Sequence, residues 1–247
     1  MADDHRGLRF GSIAQQYDAY RPSPPHEAGA LLGDITGVEI LEVAAGTGLW
    51  TRFLLEKGAT VTAVEPDVDM LAVLQRRSPS VRTLSGSAEA LPIDDESVDA
   101  VLVSSAWHWF IQPEATNEMA RVLRDNGRLF VLWNGLSRDV PWVASLTELR
   151  ESPTDLNRRA RGWTAEFCAD GPFALVSQVE CHWNWSRTIE QVVALFGTYS
   201  GAIIRSAHDR RTMEGNLRSR LVDHVRDGVV EVAMTIRGTV ARRTPRH

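Results

Sequence analysis

Between Val38 and Asn134 the sequence alternates short apolar runs with segments of helical periodicity, and this alternation limits the folds open to the chain. The runs that have the length and composition of β-strands are VEILEVA, ATVTAVE, VRTLS, SVDAVLVSS and GRLFVLWN. The segments between them with apolar residues at helical spacing are LWTRFLLEKG, DVDMLAVLQRR and PEATNEMARVLR. Strands that alternate with helices form a parallel sheet covered on both faces. The sequence therefore predicts an α/β fold.

The pattern changes after Asn134. Residues 135–170 are rich in Arg, Pro and Trp and contain one predicted helix, PWVASLTELR. Two long predicted strands follow, FALVSQVECHWNWS and VVEVAMTIRGTVARR, and the predicted helices TIEQVVALFGTYSGAIIRS and RTMEGNLRSRLVDHVRD lie between them. We expect these strands to complete one edge of a mostly parallel, seven-stranded sheet, as an antiparallel addition. The predicted division of the chain is a core of residues 1–134 and a cap of residues 135–247.

Composition excludes several classes of protein. The 247 residues carry a formal net charge of −5, which argues against a main role in binding nucleic acid. Cys168 and Cys181 are the only cysteines and show no metal-ligand spacing, so neither a zinc site nor a disulfide framework is expected. The N-terminus is acidic and polar, and no run of about 20 apolar residues occurs. We predict a cytoplasmic protein with no metal, no nucleic-acid partner and no membrane partner.

The segment AAGTG, residues 44–48, follows the first predicted strand, where open parallel sheets bind ligands. A dinucleotide-binding turn has glycines at three fixed positions, but Ala44 stands at the first of them. Glu42 precedes the turn, and its carboxylate would repel a phosphate at close range. Glu65 ends the second predicted strand, where a carboxylate can bind both hydroxyls of a ribose. These residues favour a cationic nucleoside without phosphates, a description that S-adenosylmethionine fits.

The chain resembles the class I S-adenosylmethionine-dependent methyltransferases, especially the small-molecule branch that includes the trans-aconitate and the ubiquinone and menaquinone methyltransferases. The resemblance rests on FGSIAQQYDAYRP, EVAAGTG, AVEPDVDML, GSAEALPIDDESVDAVLVSSAWHWF and EMARVLRDNGRLFVLWN, which occur in this order. It implies a Rossmann-like fold in which residues 1–134 bind the cofactor, beginning with an N-terminal lid, and residues 135–247 form the acceptor cap. Beyond Asn134 the likeness is one of layout only.

The same resemblance assigns cofactor-binding residues. Those expected beside the methionine moiety are Glu42, Ala44, Gly46, Gly48 and Ser104; Glu65 is expected at the ribose; Pro66, Asp67, Met70, Ser87, Ala88 and Glu89 are expected at the adenine. Tyr17 and Arg21 are expected in the segment that closes over the cofactor. Two residues depart from the family pattern, Ala44 in place of glycine and Ser87 in place of aspartate. We expect these departures to weaken cofactor binding or to displace the backbone slightly.

Candidate acceptor-binding residues follow the fourth predicted strand and lie in the cap. Trp107 and His108 come soon after Ser104, and Trp183 and Tyr199 lie in the later strand and helix. We expect the flanking tryptophans to give His108 a dry setting, in which it acts either as a general base or in shaping the pocket. Cys181, Trp183 and Trp185 occupy every second position of the predicted strand and so lie on one face of it. This pattern fits core packing or a pocket wall.

The predicted function is methyl transfer from S-adenosylmethionine to an oxygen or carbon nucleophile of a small molecule. Alignment of the acceptor with the methyl group and exclusion of water are then the main tasks of the protein. Two alternatives remain at the level of sequence, an NAD-dependent oxidoreductase and a cofactor-binding regulator without catalytic activity. The sequence sets neither the acceptor nor the oligomeric state.

Overall fold

The computed structural model describes residues 10–150 and 171–245, so the predicted cap residue Trp163 and the cysteine Cys168 lie outside the described residues. The chain forms two compact units. The sheet unit contains Ser23–Asn134, Thr164–Cys181 and Ile236–His247. The helical unit contains Met1–Pro22, Gly135–Trp163 and His182–Thr235. The predicted roles of residues 1–134 and 135–247 stay predictions.

The strands form one sheet in the order β3-β2-β1-β4-β5-β8-β6, and β7 pairs with β8 outside this path. The strands are β1 (Glu39–Val43), β2 (Thr60–Val64), β3 (Arg82–Leu84), β4 (Val98–Ser104), β5 (Leu123–Leu136), β6 (Phe173–Arg187), β7 (Val225–Arg226) and β8 (Val229–Arg243). The pairs β1–β2, β1–β4, β2–β3 and β4–β5 are parallel. The prediction of an α/β fold with a mostly parallel sheet is confirmed, and the last two long strands lie at one edge.

The α-helices are α1 (Ala14–Tyr20), α2 (Leu49–Glu56), α3 (Val68–Arg77), α4 (Glu114–Val122), α5 (Pro141–Arg150), α6 (Ile189–Gly197), α7 (Ser200–Ile203) and α8 (Ala207–Leu221). Asp67 caps α3, because its carboxylate accepts hydrogen bonds from the backbone N–H groups of Asp69 and Met70. No helix within the described ranges is long and apolar enough to cross a membrane.

Alternate residues of the central strands face two hydrophobic clusters of the sheet unit. Leu41 and Val43 of β1 belong to one cluster, which includes α4 residues such as Met119. Ile40 belongs to the other, which includes Trp50 and other residues of α2. Because side chains alternate with period two along a strand, helices bury both faces of the sheet. Glu42 therefore lies on the same face as Ile40, toward α2.

Two predicted helices differ from the structure. The helix predicted to reach Arg124 ends at Val122, because Arg124 lies in β5 and forms ion pairs with Asp99 of β4 and Glu39 of β1. The helix predicted over 188–206 is interrupted between α6 and α7. There Tyr199 has extended backbone angles, φ −81° and ψ 146°. In both places contacts outside the segment override local helix propensity.

The helical unit has its own hydrophobic cluster. It includes the buried residues Leu146 of α5, Phe196 of α6 and Leu217 of α8. Trp185 of β6 is buried in the same cluster and Trp183 packs against it, whereas His182 is exposed. The alternation expected along this strand is therefore confirmed, and Trp185 is a core residue.

Candidate active site

The carboxyl ends of four parallel strands lie at the same edge of the sheet. Val43 is paired with Val64 and with Val103, and Val64 is paired with Leu84. Since β1, β2, β3 and β4 end within a residue or two of these positions, the segments that follow them start at a common edge. Fourteen of the predicted site residues lie at these strand ends or in the following segments, and the other four lie in the helical unit.

The turn after β1 has an unusual backbone. Ala44, Gly46 and Gly48 have positive φ angles of 55°, 58° and 80°. Glycine adopts this left-handed region freely, whereas alanine does so at a cost of about 1–2 kcal/mol. Ala44 therefore keeps the backbone conformation that a glycine would favour. The turn is tied to β2, because the N–H of Ala45 donates to the carbonyl of Val64.

Glu42 is a buried carboxylic acid, with only 2% of its surface exposed. The hydroxyl of Thr51, in the first turn of α2, donates a hydrogen bond to its Oε2. The strand places Glu42 on the α2 face of the sheet, and the glycine turn brings the start of α2 to it. A carboxylate held by one hydroxyl keeps free acceptor capacity for a second donor or for a cation.

Glu65, at the end of β2, links two turns. Its Oε2 accepts a hydrogen bond of 2.7 Å from the N–H of Gly46, and its Oε1 accepts one of 2.9 Å from the N–H of Asp67. Each carboxylate oxygen can accept a further hydrogen bond. The side chain is thus fixed at the first glycine of the turn while it can still accept bonds from two hydroxyl groups.

Burial dominates the protonation of this carboxylate pair. It raises the pKa of Glu42 to about 8, an effect that the Thr51 hydroxyl opposes and the charge of Glu65 increases. Burial also raises the pKa of Glu65 to about 7, against the N–H groups of Asp67 and Gly46, which lower it. Burial outweighs the charge of Arg52, which lowers the pKa of Glu42, so this buried carboxyl pair favours a ligand that brings positive charge.

The residues expected near an adenine ring have mixed surroundings. Met70 and Ala88 are buried and apolar, whereas Pro66 is exposed. The Asp67 carboxylate caps α3, and the Glu89 carboxylate accepts a bond of 2.9 Å from the N–H of Ile111. Ser87 is half-buried, and its carbonyl accepts a bond from the N–H of Ala90. Both carboxylates thus have structural partners within the sheet unit.

Ser104 ends β4, and Trp107, His108 and Trp109 form a single 3-10 turn shortly after it. Trp107 packs against the core and is half-buried, but His108 is exposed, with its ring 4.7 Å from that of Trp109. The expected dry setting of His108 is therefore wrong. The ring of Trp109 lies beside the imidazole ring, but the two tryptophans that flank His108 in sequence do not enclose it.

Four predicted site residues lie in the helical unit. Arg21 lies between two aromatic rings, with its guanidinium carbon 4.8 Å from the ring centre of Tyr17 and 4.2 Å from that of Tyr199. Tyr199 is buried, with 7% of its surface exposed. Trp183 is half-buried, and its Nε1 has no hydrogen-bond acceptor within the part of the chain that the structure describes.

Two polar contacts were missed by the sequence analysis. Thr51 was not assigned a role, although a threonine in the first turn after the glycine segment is well placed to reach Glu42. Thr198 accepts both hydrogen bonds that hold the Arg21 guanidinium. The Thr198 hydroxyl accepts from Nε and the Thr198 carbonyl accepts from Nη2, each at 2.9 Å. Arg21 and Thr198 are 177 residues apart in sequence, and this separation leaves no sequence signal for the pair.

Comparison with known proteins gives concordant results. Residues 41–131 match the family described as methyltransferase domain. An uncharacterized methyltransferase of Mycobacterium tuberculosis is 36% identical over 217 residues, covering 88% of this chain and 87% of the relative. The malonyl-[acyl-carrier protein] O-methyltransferase of Salmonella typhimurium is 31% identical over 155 residues, covering 61% of this chain and 59% of the relative.

The solved structures agree at the level of fold. The structure of a putative type II methyltransferase from Anaeromyxobacter dehalogenans has a TM-score of 0.66 and 22% identity, covering 92% of this chain and all of that one. The relatives that match most of this chain are methyltransferases. They therefore argue against the NAD-dependent oxidoreductase, one of the two alternatives left open by the sequence. This chain therefore belongs to the class I S-adenosylmethionine-dependent methyltransferases.

Proposed function

We propose that the enzyme transfers a methyl group from S-adenosylmethionine to an oxygen or carbon nucleophile of a small molecule. The observation that carries the proposal is the pair of buried carboxyl groups, Glu42 and Glu65, at the ends of adjacent strands beside a turn of positive φ angles. Their burial and their raised pKa values fit a ligand that has two positive charges and free ribose hydroxyls. A pyrophosphate would meet repulsion at the same place.

The residues of the sheet unit divide the binding tasks between them. Glu42 interacts with the cationic methionine end, which the backbone of Ala44, Gly46 and Gly48 also lines. Ser104 lies at this end. Glu65 accepts hydrogen bonds from the ribose hydroxyls. The adenine contacts are assigned to Pro66, Asp67, Met70, Ser87, Ala88 and Glu89. Bound S-adenosylmethionine supplies the electrophilic methyl group, so the chain need only bind, orient and exclude water.

The residues that we propose for binding the acceptor are Trp107, His108, Trp183 and Tyr199. His108 is the residue proposed to accept a proton when the acceptor is a hydroxyl group. The relative that methylates malonyl-[acyl-carrier protein] on oxygen supports an oxygen nucleophile. Its 59% coverage limits that support to the class of reaction. A cytoplasmic location and the absence of a nucleic-acid partner belong to the same proposal and rest on composition.

The first test is calorimetric titration with S-adenosylmethionine, with its demethylated product and with NAD. We expect the first two to bind and NAD to give no heat. An assay with labelled methyl donor across a panel of small acids, phenols and enols then distinguishes an enzyme from a regulator. Binding of the donor without turnover of any acceptor would favour the regulator, and binding of NAD alone would contradict the proposal.

Replacing Glu65 by Ala should weaken cofactor binding by about 1.5–3 kcal/mol, the range for hydrogen bonds to a charged group. The measurement is the dissociation constant of S-adenosylhomocysteine for the wild type and the Glu65→Ala and Glu65→Gln variants. Because Glu65 also holds the turn, the same titrations are repeated with an analogue that lacks both ribose hydroxyls. The loss should shrink with that analogue. An equal loss of affinity for both ligands would show that Glu65 does not bind the ribose hydroxyls.

Cofactor binding should release about one proton per site near pH 7, because a cationic ligand favours the ionised forms of Glu42 and Glu65. Each folded-state pKa is raised above its ordinary value, so the ligand-free protein loses stability as pH rises through about 7 and 8. The released protons are counted by calorimetry in two buffers of different ionisation enthalpy. Glu42→Gln is expected to release fewer protons. Heats that do not depend on the buffer would contradict the predicted charge change.

A further inference from the structure

Arg21 is held in a fixed orientation within the helical unit. Its guanidinium lies between the rings of Tyr17 and Tyr199, and two of its N–H groups donate to Thr198. The Thr198 hydroxyl donates its own proton to the carbonyl of Leu195, so it can only accept from Arg21. Thr198 is buried, with 1% of its surface exposed. We call Arg21, Tyr17, Tyr199 and Thr198 the arginine clamp.

The clamp occupies only one hydrogen-bonding face of the guanidinium. A guanidinium has five N–H groups, which form a side face of Nε and Nη2 and an end face of Nη1 and Nη2. Thr198 takes the side face. Among the described residues, no acceptor is bonded to Nη1 and no carboxylate pairs with Arg21. The end face, which matches the two oxygens of a carboxylate, is therefore available.

The charge of Arg21 also lacks compensation. Two other arginines that are fixed by several bonds, Arg121 and Arg218, have carboxylate partners. In the clamp the positive charge faces two aromatic rings and a helix carbonyl, which orient it without neutralising it. A second donor of the helical unit, the Trp183 Nε1, also has no acceptor among the described residues. Donors without acceptors suit a ligand rich in oxygen and negative charge.

We propose that the arginine clamp binds a small-molecule carboxylate through the end face of Arg21. Thr198 and Tyr199 lie outside residues 41–131, the part that matches the methyltransferase domain family. Tyr17 and Arg21 also lie outside that part, so none of the clamp residues belongs to it.

The test measures binding of simple carboxylates by thermal shift and calorimetry, with and without S-adenosylhomocysteine. The probes are malonate, succinate, benzoate and phenylacetate, each compared with its neutral amide and with inorganic phosphate. Wild type is expected to bind at least one carboxylate and not its amide. Arg21→Gln should weaken that binding ten- to hundredfold, and Arg21→Lys should retain part of it, since lysine keeps the charge but not the two-pronged geometry.

Arg187→Gln is the matched control. Arg187 also belongs to the helical unit and stacks on an aromatic ring, that of Trp185, so the variant loses the same charge and one ring contact. It should bind carboxylates as the wild type does. If Arg21→Gln fails to fold, Thr198→Val and Tyr199→Phe change the clamp with little change in volume, and Thr198→Val should weaken carboxylate binding through misorientation of Arg21.

Three results would overturn the proposal. They are equal stabilisation by carboxylates and amides, equal losses in the Arg21 and Arg187 variants, and binding of phosphate without binding of any carboxylate. A fourth concerns the cofactor, which has a carboxylate of its own. Arg21→Gln could weaken the binding of S-adenosylmethionine without changing the binding of decarboxylated S-adenosylmethionine or of the probe acids. That result would show that Arg21 binds the cofactor carboxylate instead. Failure of the proposed methyl transfer would show separately, as absence of S-adenosylmethionine binding by the wild type.

Discussion

Replacing Gly48 by Ala is expected to lower the free energy of unfolding by about 2–5 kcal/mol, the sum of a left-handed backbone and an overfilled core. Gly48 has φ +80°, and an added Cβ would lie 2.8 Å from Cγ of Leu74 and 3.2 Å from Oγ1 of Thr51. Leu74 is fully buried, so it has little room to move. Displacement of Thr51 would also disturb its hydrogen bond to Glu42.

Gly46→Ala is the comparison that separates the two costs. Gly46 has φ +58°, but the nearest atom to an added Cβ is Cε of Met70 at 3.9 Å, so only the backbone cost of about 1–2 kcal/mol is expected. Gly215→Ala, in the middle of α8 with open space around it, should instead stabilise the protein by about 0.5–1 kcal/mol. Denaturant unfolding of the three variants is the measurement. Equal losses at Gly46 and Gly48 would exclude the clash.

Replacing His108 by Ala is expected to lower the turnover of a hydroxyl acceptor by about a hundredfold, the usual scale of general-base catalysis, and to leave cofactor affinity unchanged. His108 is exposed at the carboxyl edge of the sheet, in the turn that follows β4. Imidazole accepts a proton near neutral pH without needing a dry environment. With a carboxylate acceptor, which is nucleophilic at pH 7, the same replacement should act mainly on KM.

His108→Gln is the control, because glutamine keeps hydrogen-bonding capacity but does not titrate. Rates of the wild type and both variants are measured between pH 5.5 and pH 9 under single-turnover conditions. A general base gives an acidic limb in the wild type, a fall in rate as pH drops below its pKa, and both variants lose that limb. If Gln restores the rate and the pH profile stays unchanged, His108 positions the acceptor and does not take its proton.

The sequence predicts the sheet well because its signals are local. Each central strand is a short apolar run followed by a turn, and period-two alternation accounts for how Ile40 and Leu41 face different clusters. The parallel arrangement then brings the strand ends together, so Glu42 and Glu65 were predicted as neighbours of the glycine turn. The hydrogen bond between Glu65 and Gly46 is consistent with that prediction.

The features that the sequence did not predict depend on contacts between distant residues or on side-chain direction. Tyr199 and Thr198 meet Arg21 across most of the chain length, and no pattern within either segment indicates the contact. His108 lies between two tryptophans in sequence, but the 3-10 turn leaves its side chain exposed, beside the ring of Trp109. Arg124 leaves a helical pattern for a strand because its ion-pair partners lie on two other strands.

The link that Glu65 makes between the turns after β1 and β2 has a consequence for the speed of binding. Its carboxylate is already held by the N–H groups of Gly46 and Asp67 in the ligand-free protein. The conformational entropy of ordering the Glu65 carboxylate is therefore lost when the chain folds. Little further entropy is lost when a nucleoside binds. At this carboxylate, association should follow the rate of encounter and need no slow rearrangement of the turns.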